Sequence, residues 1–294
     1  MGEIDGVTFR RVALPGVSLH VAEAGPAAGT PTILLHGFPE FWYGWRRQIG
    51  PLAAAGHRVV VPDQRGYNLS DKPDGVAAYH LDRLAGDVVA LADACGFARV
   101  RLVGHDWGGL VAWWAASHHP DRIERLAILN APHPGIVGSY LRRHPGQWLR
   151  SAYVALFQIL GLPERRLTAD DGRVLRRALV RTSRPGTFTE ADLDAYARAW
   201  AQPGAMTAML AWYRALARLP RAAPPRVSMP TLILWGMQDH ALQSGLAEAS
   251  LSLCDKGRIA WHPRATHWLQ HEEPETVTRD LLAFLGEAAA SPQA

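Results

Sequence analysis

Three residues stand where an apolar run gives way to a turn. They are Asp106 in "LVGHDWGG", Asp239 in "LILWGMQDHAL" and His267 in "RATHWLQHEEP". The first stretch reads as a buried strand, a tight glycine-flanked turn and a helix. A nucleophile at the apex of such a turn needs small residues two before it and two to three after it. Gly104, Gly108 and Gly109 supply them. Asp106 would then project from the carboxyl end of its strand, beside free N–H groups of the next helix that favour negative charge. A plain helix-capping aspartate is the alternative. The later residues weigh against it, because an acid and a histidine follow in the order expected of a nucleophile, its orienting acid and its base. An imidazole accepts a proton from water near neutral pH, and a buried carboxylate fixes its tautomer and stabilises the imidazolium.

The stretch "LLHGFPEFWYGW" adds a fourth element. A strand ends at His36 and His-Gly turns the chain. The loop after such a strand lends a backbone N–H to an oxyanion hole, paired with the N–H after the nucleophile. Those donors are Phe38 and Trp107. Phe41, Trp42, Tyr43 and Trp45 read as packing, and His36 as part of its turn. His118 and His119 suit the negative end of a helix before Pro120. His240 and His271 receive no role.

The elements that must position these groups follow from periodicity. Eight short runs rich in Val, Ile and Leu read as strands: "VTFRRVAL", "VSLHVAE", "TILLHG", "HRVVVPD", "RVRLVGH", "RLAILNA", "TLILWG" and "RIAWH". The first two flank Pro15-Gly16 as an antiparallel hairpin. The later runs are near-continuously apolar, as parallel strands buried on both faces are. Helical stretches such as "LDRLAGDVVALADACG" and "GLVAWWAASHHP" alternate with them. This is an α/β pattern with a mostly parallel sheet. It breaks between His133 and Val227, where "GQWLRSAYVALFQIL", "DDGRVLRRALVRT", "EADLDAYARAWA" and "AMTAMLAWYRALARL" read as helices and no strand occurs. The expectation is a core of residues 1–132 and 228–294, with a helical cap at 133–227. The "AAASPQA" tail is expected to fray.

The 294 residues are 48% apolar and 20% charged, ordinary for a globular chain with a sizeable core. The net charge of +4 comes mostly from arginine, since lysine occurs only at Lys72 and Lys256. No basic stripe with a nucleic-acid motif appears, so no nucleic-acid partner is expected. Cys95 and Cys254 lack the spacing of a zinc site or disulfide framework. No signal peptide is visible, and the apolar run Ser151–Leu162 is too short to cross a bilayer. The expectation is a cytoplasmic protein without a membrane partner. A homo-oligomer is left open.

"HGFPEFWYGWRRQI", "VVVPDQRGYNLSDKP", "VGHDWGG", "NAPHP" and "THWLQHEEPE" together resemble the soluble, cap-bearing epoxide hydrolases of the α/β-hydrolase fold. The resemblance implies an eight-stranded mostly parallel sheet with an inserted helical cap, and no metal or cofactor. It also implies two cap tyrosines that hold and protonate the epoxide oxygen. They fall on Tyr153 in "SAYVALFQILGLPE" and Tyr213 in "MLAWYRAL". The implied reaction is attack by Asp106 on an epoxide carbon, then hydrolysis of the ester by water that His267 activates with Asp239 behind it. The substrates would be a lipophilic epoxide and water. Apolar walls are expected from Phe38, Trp107, Phe157, Trp212 and Trp268. Ala152, Asn68 and Thr266 depart from the family pattern, which commonly has tryptophan, glycine and glycine there.

Two other readings stay open. A haloalkane or haloacid dehalogenase shares the aspartate nucleophile. Phe38, however, offers no side-chain donor to a halide, and Trp107 stands where the haloacid type has arginine. A non-catalytic ligand-binding protein on the same fold is the alternative of another class.

Overall fold

The computed structural model describes residues 5–216 and 225–287. The C-terminal "AAASPQA" and most of "PRAAPP", where the helical region was expected to end, lie outside the described residues.

The eight expected strands are all present: β1 (Thr8–Leu14), β2 (Val17–Ala24), β3 (Thr30–Leu35), β4 (His57–Pro62), β5 (Val100–His105), β6 (Ile123–Leu129), β7 (Val227–Gly236) and β8 (Cys254–His262). They form one sheet in the order β1-β2-β4-β3-β5-β6-β7-β8. β1 and β2 make the antiparallel hairpin, and β2 also runs antiparallel to β4. From β4 to β8 every pairing is parallel. Ile33, Leu34, Leu102 and Val103 are fully buried, as strands covered on both faces require.

Helices α1 (Arg46–Ala54), α2 (Leu81–Ala94) and α3 (Trp107–His118) connect the first half of the sheet. Between β6 and β7 come α4 (Pro134–Arg143), α5 (Pro145–Arg150), α6 (Tyr153–Leu156), α7 (Leu162–Thr182), α8 (Glu190–Trp200) and α9 (Ala205–Leu216). α10 (Gly245–Leu251), α11 (Leu269–Glu272) and α12 (Pro274–Gly286) complete the chain.

The strand order creates the crevice that the site needs. β3 lies between β4 and β5, so the chain leaves β3 to one side and returns to the other. In open α/β sheets ligands bind at such a reversal, beyond the carboxyl ends of the strands. The register sets Leu35 beside Gly104, which brings the loops after β3 and β5 together.

The helical insertion is tied over this crevice by buried polar contacts. Trp200 Nε1 donates to the Pro39 carbonyl at 2.6 Å, Tyr196 Oη to Glu40 Oε1 at 2.7 Å, and Trp212 Nε1 to the Arg65 carbonyl at 3.1 Å. α8 starts with a capping box in which Thr189 and Asp192 satisfy each other's amides. Asp192 also pairs with Arg46 of α1 at 2.9 Å.

The stretch read as one helix from Gly146 to Leu160 is two short ones, α5 and α6. Within α5, Gln147 is buried and ties the helix to the loop after β7, donating to the Ala241 carbonyl at 2.7 Å and accepting from the Gln243 amide at 2.8 Å. α7 is likewise broken at Ala169–Gly172, where Asp170, Asp171 and Gly172 adopt φ of 50°, 55° and 69°.

Candidate active site

Asp106 occupies the apex between β5 and α3 with φ 50° and ψ −119°, a backbone state that L-residues rarely adopt. Glycine makes the turn feasible. A Cβ on Gly108 would overlap the Leu35 carbonyl, so α3 could not approach β3 with any larger residue. A Cβ on Gly37 would lie 2.5 Å from that of Asp106. The bare backbone there lets the Phe38 N–H donate to Asp106 Oδ1 at 2.8 Å. Trp107, the first residue of α3, carries one of the N–H groups that lack an acceptor within the helix.

Asp239 lies three residues beyond β7 and His267 five beyond β8. His267 Nδ1 is 2.7 Å from Asp239 Oδ2, and its Nε2 is 3.4 Å from Asp106 Oδ2. Asp239 is almost wholly buried and fully bonded. Its Oδ1 accepts the Ala241 and Leu242 amides at 2.7 and 2.9 Å, and its Oδ2 accepts Asn130 Nδ2 at 2.6 Å. Burial opposes its charge, yet His267 and these donors hold its carboxyl below the usual range. Burial also opposes an imidazolium at His267. The charge of Asp239 and the contact with Asp106 outweigh it and hold His267 well above the ordinary histidine value.

Asp106 and His267 open onto a cavity of about 520 Å³, which Tyr153 and Tyr213 also line. Such a volume suits a small organic ligand. Tyr153, though 40% exposed as a residue, presents its phenol to the cavity, with its ring 6.2 Å from that of Tyr213. Burial and then the charge of Asp106 raise the Tyr153 hydroxyl above its usual range. Burial, Tyr153 and Asp106 likewise raise Tyr213 well above it. Both phenols are therefore held protonated beside the carboxylate.

Residues 30–274 match the family model of the α/β hydrolase fold. The chain is 44% identical over 283 residues to YfhM, an AB hydrolase superfamily protein of Bacillus subtilis, across 96% of this chain and 99% of that one. It is 36% identical over 285 residues to epoxide hydrolase 4 of Mus musculus, across 95% of this chain and 79% of that one. The crystal structure of Bacillus megaterium epoxide hydrolase with an inhibitor superposes with a TM-score of 0.87 at 29% identity, covering 95% of this chain and 100% of that one. The chain belongs to the epoxide hydrolases of the α/β-hydrolase fold.

Of the walls expected for this epoxide hydrolase, Phe38, Phe157 and Trp268 line the cavity. Trp212 and the Trp107 side chain do not, which corrects the sequence reading. Trp212 is fully buried, edge-on to Tyr67 and Trp107. Successive helix residues point about 100° apart, so the helix that aims Tyr213 at the cavity turns Trp212 away. Trp107 packs at 4.8 Å against Tyr213.

Sequence reasoning missed a polar cluster behind His267. Glu40, His105, Gln270 and His271 are all essentially buried. His105 Nε2 is 2.9 Å from the His267 carbonyl, which only accepts, so His105 donates there and anchors the backbone of His267. Arg46 Nη1 lies 3.0 Å from His271 Nδ1 and only donates, so His271 presents its Nε2–H to Glu40 Oε1 at 2.7 Å. Burial opposes the Glu40 charge, but the two histidines hold it well below the carboxylate range. The signal was visible: an acid inside the otherwise apolar "GFPEFWYGW" must find buried partners.

Asn130, the first residue of "NAPHP", is another supporting residue whose role the sequence does not announce. It takes φ 37°, bonds Asp239, and accepts the Gly236 amide on Oδ1 at 2.7 Å. Two departures from the family pattern also find partners. Asn68 donates to Asp63 at 2.8 Å. Thr266 bonds Glu272 through both its amide and its hydroxyl at 2.7 Å, which pins the loop carrying His267. Ala152 is exposed beside Tyr153, and nothing in the structure explains it.

Proposed function

We infer that the enzyme hydrolyses lipophilic epoxides to vicinal diols through a covalent ester on Asp106, with residues 133–227 as the cap over the site. The observation that carries this reading is the meeting of four groups on one apolar cavity: a carboxylate nucleophile, a histidine–aspartate pair and two protonated phenols.

A carboxylate at a nucleophile turn makes chemical sense only with an alkyl electrophile. Asp106 Oδ1 is held by the Phe38 amide, which leaves Oδ2 to attack an epoxide carbon. The C–O bond breaks and its electron pair moves to the oxygen, which takes a proton from Tyr153 or Tyr213. The charge that kept the phenols protonated thereby moves onto the atom they bond. The product is an alkyl ester, which does contain a carbonyl. Water attacks that carbon, His267 takes the water's proton, and the Phe38 and Trp107 amides hold the oxyanion on Oδ1. Collapse breaks the bond to Oδ2, and the departing alkoxide recovers the proton from His267. The new carboxylic acid returns its proton to the tyrosinate, so epoxide plus water gives diol and resting enzyme.

The test replaces His267 with glutamine and adds styrene oxide. The expected result is rapid attack, stalled hydrolysis and an intact mass raised by one substrate, with the adduct on Asp106. If no epoxide in a panel gives an adduct and the parent forms no diol, the reading fails.

A further inference from the structure

Nine of the thirteen exposed large hydrophobic residues among those described fall between Trp148 and Val180. Five of the nine, Tyr153, Leu156, Ile159, Leu162 and Val174, are at once exposed and part of the lining of the cavity that Asp106 and His267 share. Leu149 and Leu160, the most exposed at 81% and 76%, stand outside the lining. A soluble monomer rarely leaves such a patch uncovered without a partner for it.

The surrounding charge identifies the partner. Residues 142–181 hold nine arginines against three acids, whereas the whole chain carries only +4. Among the described residues Arg142, Arg143, Arg165, Arg166, Arg177 and Arg181 are exposed and have no carboxylate partner. Unpaired cations interspersed along an exposed apolar stretch that includes Trp148 match the headgroup and acyl zones of an anionic bilayer. A lipophilic substrate, as the proposed function requires, concentrates in that phase, and exposed apolar residues of this stretch continue into the cavity lining.

We propose that the α5–α7 face of the cap docks on anionic phospholipid membranes, so that the cavity draws its substrate from the lipid. The sequence reading expected no membrane partner because no run is long enough to span one, and no described helix is long and apolar enough to cross. Surface docking is a separate mode that needs no span.

The test is sedimentation of the full chain with vesicles of phosphatidylglycerol and phosphatidylcholine in equal parts, against vesicles of phosphatidylcholine alone. Binding is read directly, so its failure is distinct from a failure of the catalytic reading. The parent should bind the anionic vesicles more tightly than the neutral ones, and added salt should weaken it. Two sets of changes outside the cavity lining should release it: Leu149→Glu with Leu160→Glu, and Arg165→Gln with Arg177→Gln and Arg181→Gln. Each arginine near the surface is worth about fivefold in partition, so the triple change should lower binding about a hundredfold. Unchanged circular dichroism and melting temperature would show that both variants fold. The proposal is overturned if the parent ignores anionic vesicles, or if both variants bind as the parent does. It is also overturned if light scattering shows self-association that Leu149→Glu with Leu160→Glu abolishes while vesicles go unbound, which would make a second copy the occupant.

Discussion

His267 lies between two carboxylates, with Nδ1 at 2.7 Å from Asp239 and Nε2 at 3.4 Å from Asp106. Both raise its proton affinity against the opposing effect of burial. In the proposed reaction only one of them survives the first chemical step, because alkylation turns Asp106 into a neutral ester. The imidazole must therefore lose affinity for its proton just when it has to take one from water. Ester decay, followed in a single turnover, should rise with pH through an apparent pKa below that of His267 in the resting enzyme. Imidazole NMR of the resting enzyme gives the second value. Asp106→Asn should shift the NMR value down as alkylation does. If the two pKa values coincide, Asp106 is not the group that sets the histidine's affinity.

In the proposed reaction Tyr153 and Tyr213 act on ring opening and not on ester hydrolysis. A positioned general acid contributes about 10²–10⁴ in rate. Either phenol can donate to the oxygen, so each single change to phenylalanine should lower the alkylation rate at least about tenfold. The double change should lose more than the product of the two, because no acid remains. Rapid quench separates the steps, and the decay rate of preformed ester should stay near that of the parent. Equal slowing of both steps would place the tyrosines in cavity shape instead.

Asn130 supports Asp239, the acid of the proposed His267 pair. Asn130→Asp keeps the side-chain size, tolerates the positive φ and retains an oxygen for the Gly236 amide. It removes the donor 2.6 Å from Asp239 and sets a like charge there. The Asp239 carboxyl should rise, its hold on His267 weaken, and kcat fall about tenfold or more with KM little changed. Steady-state kinetics at neutral pH decide it.

His133 gives a pH effect on stability. It is fully buried, its Nδ1 accepts the Gly135 amide, and burial followed by the nearby His118 pushes it down to about 4. A depressed histidine binds its proton more readily when unfolded. Its destabilising effect is thus absent above the unfolded value near 6.5 and grows as pH falls toward 4. The loss is at most about 3 kcal/mol. Urea unfolding at pH 7 and pH 4.5 should show a smaller acid loss in His133→Gln than in the parent.

The core, and the turns that bring Asp106, Asp239 and His267 together, were legible because each is announced locally. Near-continuous apolar runs mark parallel strands, and Asp106, Asp239 and His267 each follow one by a few residues. The two tyrosines were legible only through resemblance, since nothing in their spacing points at a cavity. Less was legible where distant partners decide. Gln147 is held in place by bonding a loop nearly a hundred residues away. Glu40 is tied to His105, Tyr196 and His271. Trp212 and Tyr213 are neighbours in sequence, yet helix phase alone puts one in the packing and the other in the site.

Asn68 is the departure whose consequence can be measured. The family pattern has glycine there, and the structure gives the reason for both choices. The backbone takes φ 39°, which glycine adopts freely and asparagine tolerates better than most residues. Asparagine adds what glycine lacks, a donor to Asp63 Oδ2 at 2.8 Å. Asp63 is fully buried and also holds the Trp42 amide at 3.0 Å and His20 at 2.7 Å, so the contact secures the approach to the β3 loop. Asn68→Gly should lose that bond but keep the backbone relaxed, costing about 1–2 kcal/mol. Asn68→Ala should lose the bond and also strain the left-handed turn, costing about 2–4 kcal/mol. Alanine should therefore be the worse replacement, although ordinary helix and packing scales rank it above glycine. Denaturant unfolding of the two variants tests the order. Alanine equal to or better than glycine would mean that the positive φ relaxes in solution and that the hydrogen bond alone explains asparagine.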